Sequence, residues 1–109
     1  MSEVDLLELY VYTTASYERK GYLKVGHCLR GRHITRIYEQ FGTSNPEQPI
    51  IKFAEPLPPG RTDHHIHAQL IRQGIEKVEE SVGQEWFKAT VEDVKRAYNV
   101  VCFGSPRLH

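Results

Sequence analysis

The chain has 109 residues, of which 39% are hydrophobic, and its 14 Lys and Arg residues are balanced by 14 Asp and Glu residues. This length and composition predict one small globular domain over residues 1–103, with a tail or linker at 104–109, and exclude a disordered chain. Because the formal net charge is zero, attraction to nucleic acid or to an anionic membrane would need a local patch of charge.

Such a patch is present, because the basic residues are concentrated in one segment. Residues 19–36 contain six Lys and Arg residues, two histidines and no acid, whereas residues 76–93 contain six acids and two lysines. A basic run of this kind is either a solvated face or a phosphate-binding surface. The count alone leaves both interpretations open.

The cysteines and the apolar segments indicate the compartment. Cys28 and Cys102 form no Cys-x-x-Cys pair, so we expect reduced packing residues rather than a disulfide framework or a zinc ribbon. No apolar run approaches the roughly 18 residues of a membrane span, and the N-terminus lacks the features of a signal peptide. We therefore expect a cytoplasmic protein with no membrane partner.

Aromatic and β-branched residues predict three strands. The first covers residues 9–14, and the second, at 22–26, alternates between the two sides of a sheet. Their short separation favours an antiparallel hairpin. A third strand is predicted at 50–54, ended by the proline-rich stretch 56–60.

A first helix is predicted over residues 34–41, where apolar side chains recur at the spacing of one helical face. Those side chains are Ile34, Ile37, Tyr38 and Phe41. Gly42 is the expected C-cap. Arg32 and Arg36 would lie on the opposite side, either free to meet a ligand or as ordinary exposed arginines.

A second helix is predicted from Thr62, as its N-cap, to Gly74. Its apolar stripe consists of Ile66, Leu70 and Ile71. Asp63 and His67 fall within that stripe, so we expect them to face the protein body or a cleft in it. A carboxylate there needs a partner or a metal, and the alternative is a capping aspartate beside a satisfied core histidine.

The last predicted elements follow Thr90, which begins a helix with the pattern of a capping box. Val91, Val94 and Tyr98 would form the inner face of this helix. Residues 100–103 are expected to add an edge strand. The predicted order is β-β-α-β-α-α-β, which is an α+β fold.

Five short elements of the chain resemble those of one family, in the same order. They are Tyr-Val-Tyr at 10–12, Lys-Val-Gly at 24–26, Thr-Arg-Ile at 35–37, Asp-His-His-Ile-His at 63–67 and Glu-Trp-Phe at 85–87. This set resembles the GIY-YIG nuclease superfamily, in the branch with Lys-Ile-Gly as its second half, and the nuclease-like domain found N-terminal in some bacterial and phage helicase-like proteins. The resemblance covers about residues 9–98. It implies a small antiparallel three-stranded sheet flanked by helices.

The resemblance also implies a function, which is metal-dependent hydrolysis of DNA phosphodiester bonds. Tyr12 would take the proton from the attacking water, Arg36 would donate to the non-bridging phosphate oxygens, and Asp63 would hold Mg²⁺ or Mn²⁺. Lys24 would favour the tyrosinate, and His67 would lie beside the acid. Without the resemblance, the alternative is that Tyr12 is a hydrogen-bonded strand tyrosine and Lys24 is a surface lysine.

We expect the partner to be DNA, with a helicase region in the same chain or in a partner chain, as part of a repair or restriction protein. The residues expected to contact DNA are Lys20, His27, Arg30 and Arg32. Glu85 is a candidate second acid, and Trp86 and Phe87 are expected to pack beneath the site.

Three positions depart from the family pattern. Tyr10 stands in place of its first Gly, Lys24 in place of its second Tyr, and Asp63 in place of the usual Glu. Since the Asp63 side chain is one methylene shorter, the alternative function is a catalytically degenerate domain that binds DNA without cleaving it.

The histidine cluster allows a third hypothesis, a zinc-stabilised interaction module. His64 and His67 are three residues apart on the predicted helix, with His65 between them. His27 or His33 could then complete the ligand set.

Overall fold

A five-stranded antiparallel sheet, in the strand order β3-β1-β2-β5-β4, organises the described residues of this computed structural model, which are 6–41, 47–78 and 85–104. The elements in chain order are β1 (Leu7–Thr13), α1 (Ala15–Arg19), β2 (Tyr22–Leu29), α2 (His33–Phe41), β3 (Ile50–Leu57), α3 (Asp63–Arg72), β4 (Glu76–Lys77), β5 (Trp86–Lys88) and α4 (Val91–Phe103). This confirms the predicted α+β class.

The predicted hairpin is confirmed, because β1 pairs with β2 in antiparallel register. Both strands extend beyond the predicted residues, β1 towards Leu7 and β2 to Leu29. β3 also continues past its predicted end, through Pro56 to Leu57. A proline is tolerated there because β3 is an edge strand, which does not need every backbone donor.

Apolar side chains are buried on both faces of the sheet. On one face, alternate residues of β1 and β2 pack with α3 and α4, in a cluster that includes Leu9, Val25, Ile66, Leu70 and Val94. The other face buries an aromatic cluster that contains Tyr10, Tyr12, Ile37, Val78 and Trp86. Period-two alternation along β1 therefore separates Leu9 and Val11 from Tyr10 and Tyr12.

One prediction about the C-terminal half is wrong. Residues 100–103 are not an edge strand but the end of α4, which closes at Gly104 with a φ of 74°. The additional strands come instead from β4 and β5. The predicted caps Thr62 and Thr90 are both observed, each accepting from the backbone of its own helix.

The predicted apolar stripes of α2 and α3 are correct only in part. Ile37 is fully buried, but Ile34 and Tyr38 are 55% and 47% exposed. On α3, Ile66 and Leu70 are buried, whereas Ile71 is 53% exposed. The side chain of Phe41 and the predicted cap Gly42 lie outside the described residues. No helix in the described part of the chain is long and apolar enough to span a membrane.

Gly26 has a packing role that its motif does not reveal. It lies directly opposite Tyr10 on the neighbouring strand, and the tyrosine ring covers it. A Cβ at Gly26 would lie 2.6 Å from Tyr10 Oη and 2.7 Å from Tyr10 Cζ. The ring of Tyr10 is buried in the aromatic cluster, so it has little room to withdraw.

We therefore predict that Gly26→Ala lowers the free energy of unfolding by about 1–3 kcal/mol, as overpacked cores do. Urea unfolding of the single variants and of the Gly26→Ala, Tyr10→Leu double variant measures the coupling. Gly26→Ala should lower the free energy of unfolding by less in the Tyr10→Leu background than in the wild-type background. Equal costs in the two backgrounds would mean that the ring does not exclude the methyl group.

Candidate active site

Asp63 lies at the start of α3, immediately after the cap Thr62, and its side chain is turned into the protein. Asp63 Oδ1 accepts a hydrogen bond of 2.6 Å from His27 Nδ1–H. The contact joins the first turn of α3 to β2. The buried carboxylate is thus compensated by an imidazole donor, as its low exposure requires.

His67 lies one turn further along α3. His67 Nε2–H donates to the carbonyl oxygen of Val25 over 2.8 Å, which fixes its tautomer because a carbonyl can only accept. His67 Nδ1 is 3.4 Å from Glu85 Oε1. Burial lowers the pKa of His67, although the hydrogen bond and the charges of Asp63 and Glu85 oppose the shift. His67 therefore connects α3 with β2 and with the start of β5.

Lys24 is a buried cation at the centre of the sheet. Its Cα pairs with Tyr12 on one side and with Trp86 on the other. Burial lowers the pKa of Lys24, the carboxylates of Glu85 and Asp63 raise it, and Arg36 lowers it further. The charges of both carboxylates and of the arginine therefore act on one ammonium group.

Tyr12 is only 1% exposed. Its ring lies 6.0 Å from that of Tyr10 and 5.7 Å from that of Trp86, measured between centroids. Burial, together with the neighbouring Tyr10, raises the pKa of the Tyr12 hydroxyl. The β1–β3 register shifts between Val11 and Tyr12, an irregularity of the kind that redirects side chains near functional sites.

Arg36 lies on a cleft of about 340 Å³ between α2 and the ends of β1 and β2. The cleft is lined by Leu7, His27, Cys28, Leu29, Arg32, Thr35, Arg36 and Glu39. His27 thus forms part of the cleft wall while it holds Asp63. This histidine connects the cleft with the carboxylate.

The structure separates the residues predicted to contact DNA. His27 and Arg32 line the cleft. Arg30 is directed elsewhere, because its Nη2–H donates to the carbonyl of Leu57 over 2.9 Å and its Nε–H to that of Leu7 over 3.3 Å. Lys20 is exposed at the end of α1, where its ammonium lies 5.8 Å from the Tyr17 ring centroid.

The histidines of α3 have separate roles. His65 Nδ1 accepts from the backbone N–H of Thr62 and so completes a capping box. His64 is exposed, with its Nε2 3.9 Å from Asp63 Oδ1. Within residues 6–41, 47–78 and 85–104, no three His, Cys, Asp or Glu side chains are arranged to hold a metal. The described residues thus do not form the zinc site of the third hypothesis.

Trp86 and Phe87, which were predicted to pack beneath the site, contact two of its predicted residues from opposite faces of the sheet. The ring of Trp86 packs edge-on against Tyr12 and against Tyr17, at a centroid distance of 4.7 Å from the latter. Phe87 lies 5.0 Å from the His67 ring.

Cys28 and Cys102 are both free thiols, and both are half-buried.

Glu8 is a buried residue that the sequence analysis did not single out. Its Oε2 accepts from the backbone N–H of His33 at 3.0 Å, from His33 Nδ1–H at 2.9 Å and from the thiol of Cys28 at 3.6 Å. Because His33 is the first residue of α2, this carboxylate anchors the N-terminus of the helix that carries Arg36. The period-two pattern of β1 places Glu8 on the face of Tyr10 and Tyr12, which is the signal that could have found it.

The T5orf172 domain family matches residues 9–102, so the chain belongs to this family, whose domains have a GIY-YIG-like, nuclease-like fold. Neither a curated protein nor a solved structure matches the chain. The family therefore defines the class of protein, and the finer assignment depends on the geometry of the site.

Glu8 generates a prediction about pH. Burial alone raises its pKa, but hydrogen bonds from His33 and Gly31 and the charge of His33 outweigh burial and lower the pKa below the ordinary 4.5. The stabilising carboxylate is thus present above that pH and lost as the pH falls through the lowered value. We expect Glu8→Gln to cost about 1–3 kcal/mol at pH 7 and less at pH 3.5.

Urea unfolding at the two pH values measures this difference. Glu76→Gln, which removes an exposed carboxylate from β4, is the control and should change stability little at either pH. An equal cost of Glu8→Gln at both pH values would mean that the ionised form is not the one that anchors α2.

Proposed function

We propose that the chain is a metal-dependent DNA endonuclease domain that hydrolyses phosphodiester bonds. The observation that carries this proposal is that His27 lines the same cleft as Arg36 and holds the carboxylate of Asp63 at 2.6 Å. The charges of Asp63, Glu85 and Arg36 also act on the pKa of the buried Lys24, although these residues come from four separate elements or their flanks. Membership of a nuclease-like family supports it. The lysine at position 24 also favours the Lys-Ile-Gly branch of the GIY-YIG superfamily.

Asp63 is suited to hold a Mg²⁺ or Mn²⁺ ion. Its Oδ2 lies 3.8 Å from His67 Nε2, which is beyond hydrogen-bond distance, so this oxygen has no such bond to His67. Mg²⁺ commonly binds one or two carboxylates and keeps several waters, so it does not need a cage of three protein ligands. When bound, the ion would neutralise charge on the phosphate and on the leaving oxygen.

The remaining roles belong to the side chains of the chain itself. Arg36 would donate to the non-bridging oxygens, whose charge grows in the transition state. Tyr12 would accept the proton of the attacking water. Because burial raises the pKa of Tyr12, this transfer depends on the ammonium of Lys24, its cross-strand partner, to favour the phenolate. His67 would hold α3, and therefore Asp63, in position.

The proposed substrate is DNA, and the domain would work alongside a helicase region, in the same chain or in a partner, within a repair or restriction protein. The support for this context is the resemblance to domains of helicase-like proteins. A neutral domain gains little from bulk charge, so a partner that holds DNA nearby would help it.

Plasmid nicking in Mg²⁺ or Mn²⁺ tests the proposed activity. We predict that Arg36→Ala and Asp63→Asn each reduce the nicking rate at least about 10²-fold, because the first removes a donor to the phosphate oxygens and the second removes the carboxylate that would hold the metal ion. Arg72→Ala, which removes an exposed arginine from the far end of α3, should leave the rate unchanged. Nicking that survives both site substitutions, or an absence of nicking by the wild-type chain, would contradict the proposal.

The second candidate function is DNA binding without cleavage. It is favoured by the burial of Tyr12, which disfavours the phenolate, and by the short Asp63 carboxylate already engaged by His27. Affinity that falls steeply with salt, without metal-dependent nicking, would select this function.

A further inference from the structure

The cleft beside Arg36 combines two kinds of surface. One wall carries Thr35, Arg36 and Glu39 of α2, together with Arg32, which immediately precedes that helix. The opposite wall is largely apolar and comes from the sheet, with Leu7, Cys28 and Leu29. Leu29 remains 52% exposed although it ends a paired strand.

The two arginines are spaced as one nucleic-acid strand requires. Arg32 immediately precedes the first residue of α2, and its carbonyl accepts from the N–H of Arg36 at 2.9 Å, so the two backbones are about one helical turn, or roughly 5.4–6 Å, apart. This separation is comparable with that of adjacent phosphates along a strand. Glu39, one turn beyond Arg36, would repel a third phosphate. The two arginines would therefore contact two adjacent phosphates.

The apolar wall is suited to a base rather than to a phosphate. At about 340 Å³ the cleft is at the small end of ligand pockets, large enough for one nucleoside and too small for a stacked base pair. Unpaired bases pack against apolar side chains, histidine rings and guanidinium planes. The cleft offers an apolar side chain in Leu29 and a histidine ring in His27.

We infer that the cleft binds one unpaired nucleotide next to the phosphate held by Arg36, so that the preferred substrate is single-stranded or extrahelical DNA. The inference rests on the proposed function and deepens it by naming the substrate class. His27 makes the connection, because the same imidazole lines the cleft and holds Asp63. An intact duplex would have to extrude a nucleotide before the cleft could be filled.

Fluorescence anisotropy in EDTA tests the inference without cleavage. The affinity of the wild-type chain is measured for three labelled probes. They are a 12-nucleotide single strand, an abasic strand with the same number of phosphates, and a hairpin duplex. We expect the single strand to bind about tenfold more tightly than either of the others, which is the effect of one well-packed base. Equal affinity for the single strand and the abasic strand, or for the single strand and the duplex, would overturn the inference.

A matched pair of variants locates the effect. Leu29→Gln should reduce the ratio of single-strand to abasic affinity by about three- to tenfold. Ile71→Gln, at a residue of the same exposure on α3 and away from the cleft, should leave the ratio unchanged. An unchanged ratio in Leu29→Gln would overturn the assignment of the cleft. If the wild-type chain binds none of the three probes, the proposed function fails as well, whereas equal binding of all three contradicts the substrate class alone.

Discussion

The antiparallel pairing of β1 with β2 is the constraint on which the site depends. Each cross-strand pair on one face of this hairpin has a separate role. Tyr12 opposes Lys24, which places a phenol and an amine side chain on the same face of the sheet, and Tyr10 opposes Gly26, where only a glycine leaves room for the ring. A slip of one residue would transfer every one of these side chains to the other face.

The second constraint is the burial of charge. A lysine, two carboxylates and a histidine have little exposed surface around β2, and burial disfavours every ionised form there. The chain compensates with specific contacts: His27 donates to Asp63, His33 donates to Glu8, and His67 donates to the carbonyl oxygen of Val25. Three histidines therefore maintain the electrostatic order of the site, and none of them needs to bind a metal to do so.

Local signals in the sequence predicted the elements that depend on local physics. The hairpin, the caps Thr62 and Thr90 and the inward direction of Asp63 and His67 all follow from turn length, capping and helical periodicity. By contrast, Ile34 and Tyr38 are exposed on α2, whose first residue, His33, is held by the buried Glu8 of β1. Periodicity within a helix cannot reveal a contact made by a distant strand.

The other errors have similar causes. Residues 100–103 have high β-propensity, but they continue a helix whose inner face is already buried against the sheet, so tertiary packing overrides propensity. The five-residue helix α1 is too short for a periodic signal. Within the site, the charged residues Asp63, Arg36 and Lys24 could be predicted from the order of the family's motifs. The hydrogen bond between His27 and Asp63 could not be predicted in this way.

Arg30 has a structural role that differs from the roles of the other arginines in the basic segment. Two of its N–H groups already bind carbonyls at the ends of β1 and β3, so its guanidinium fastens the rim of the sheet. Its positive charge nevertheless still extends into solvent. Under the proposed function, Arg30 would help to attract a polyanion from a distance while Arg32 and Arg36 make the direct contacts, which separates long-range capture from final contact.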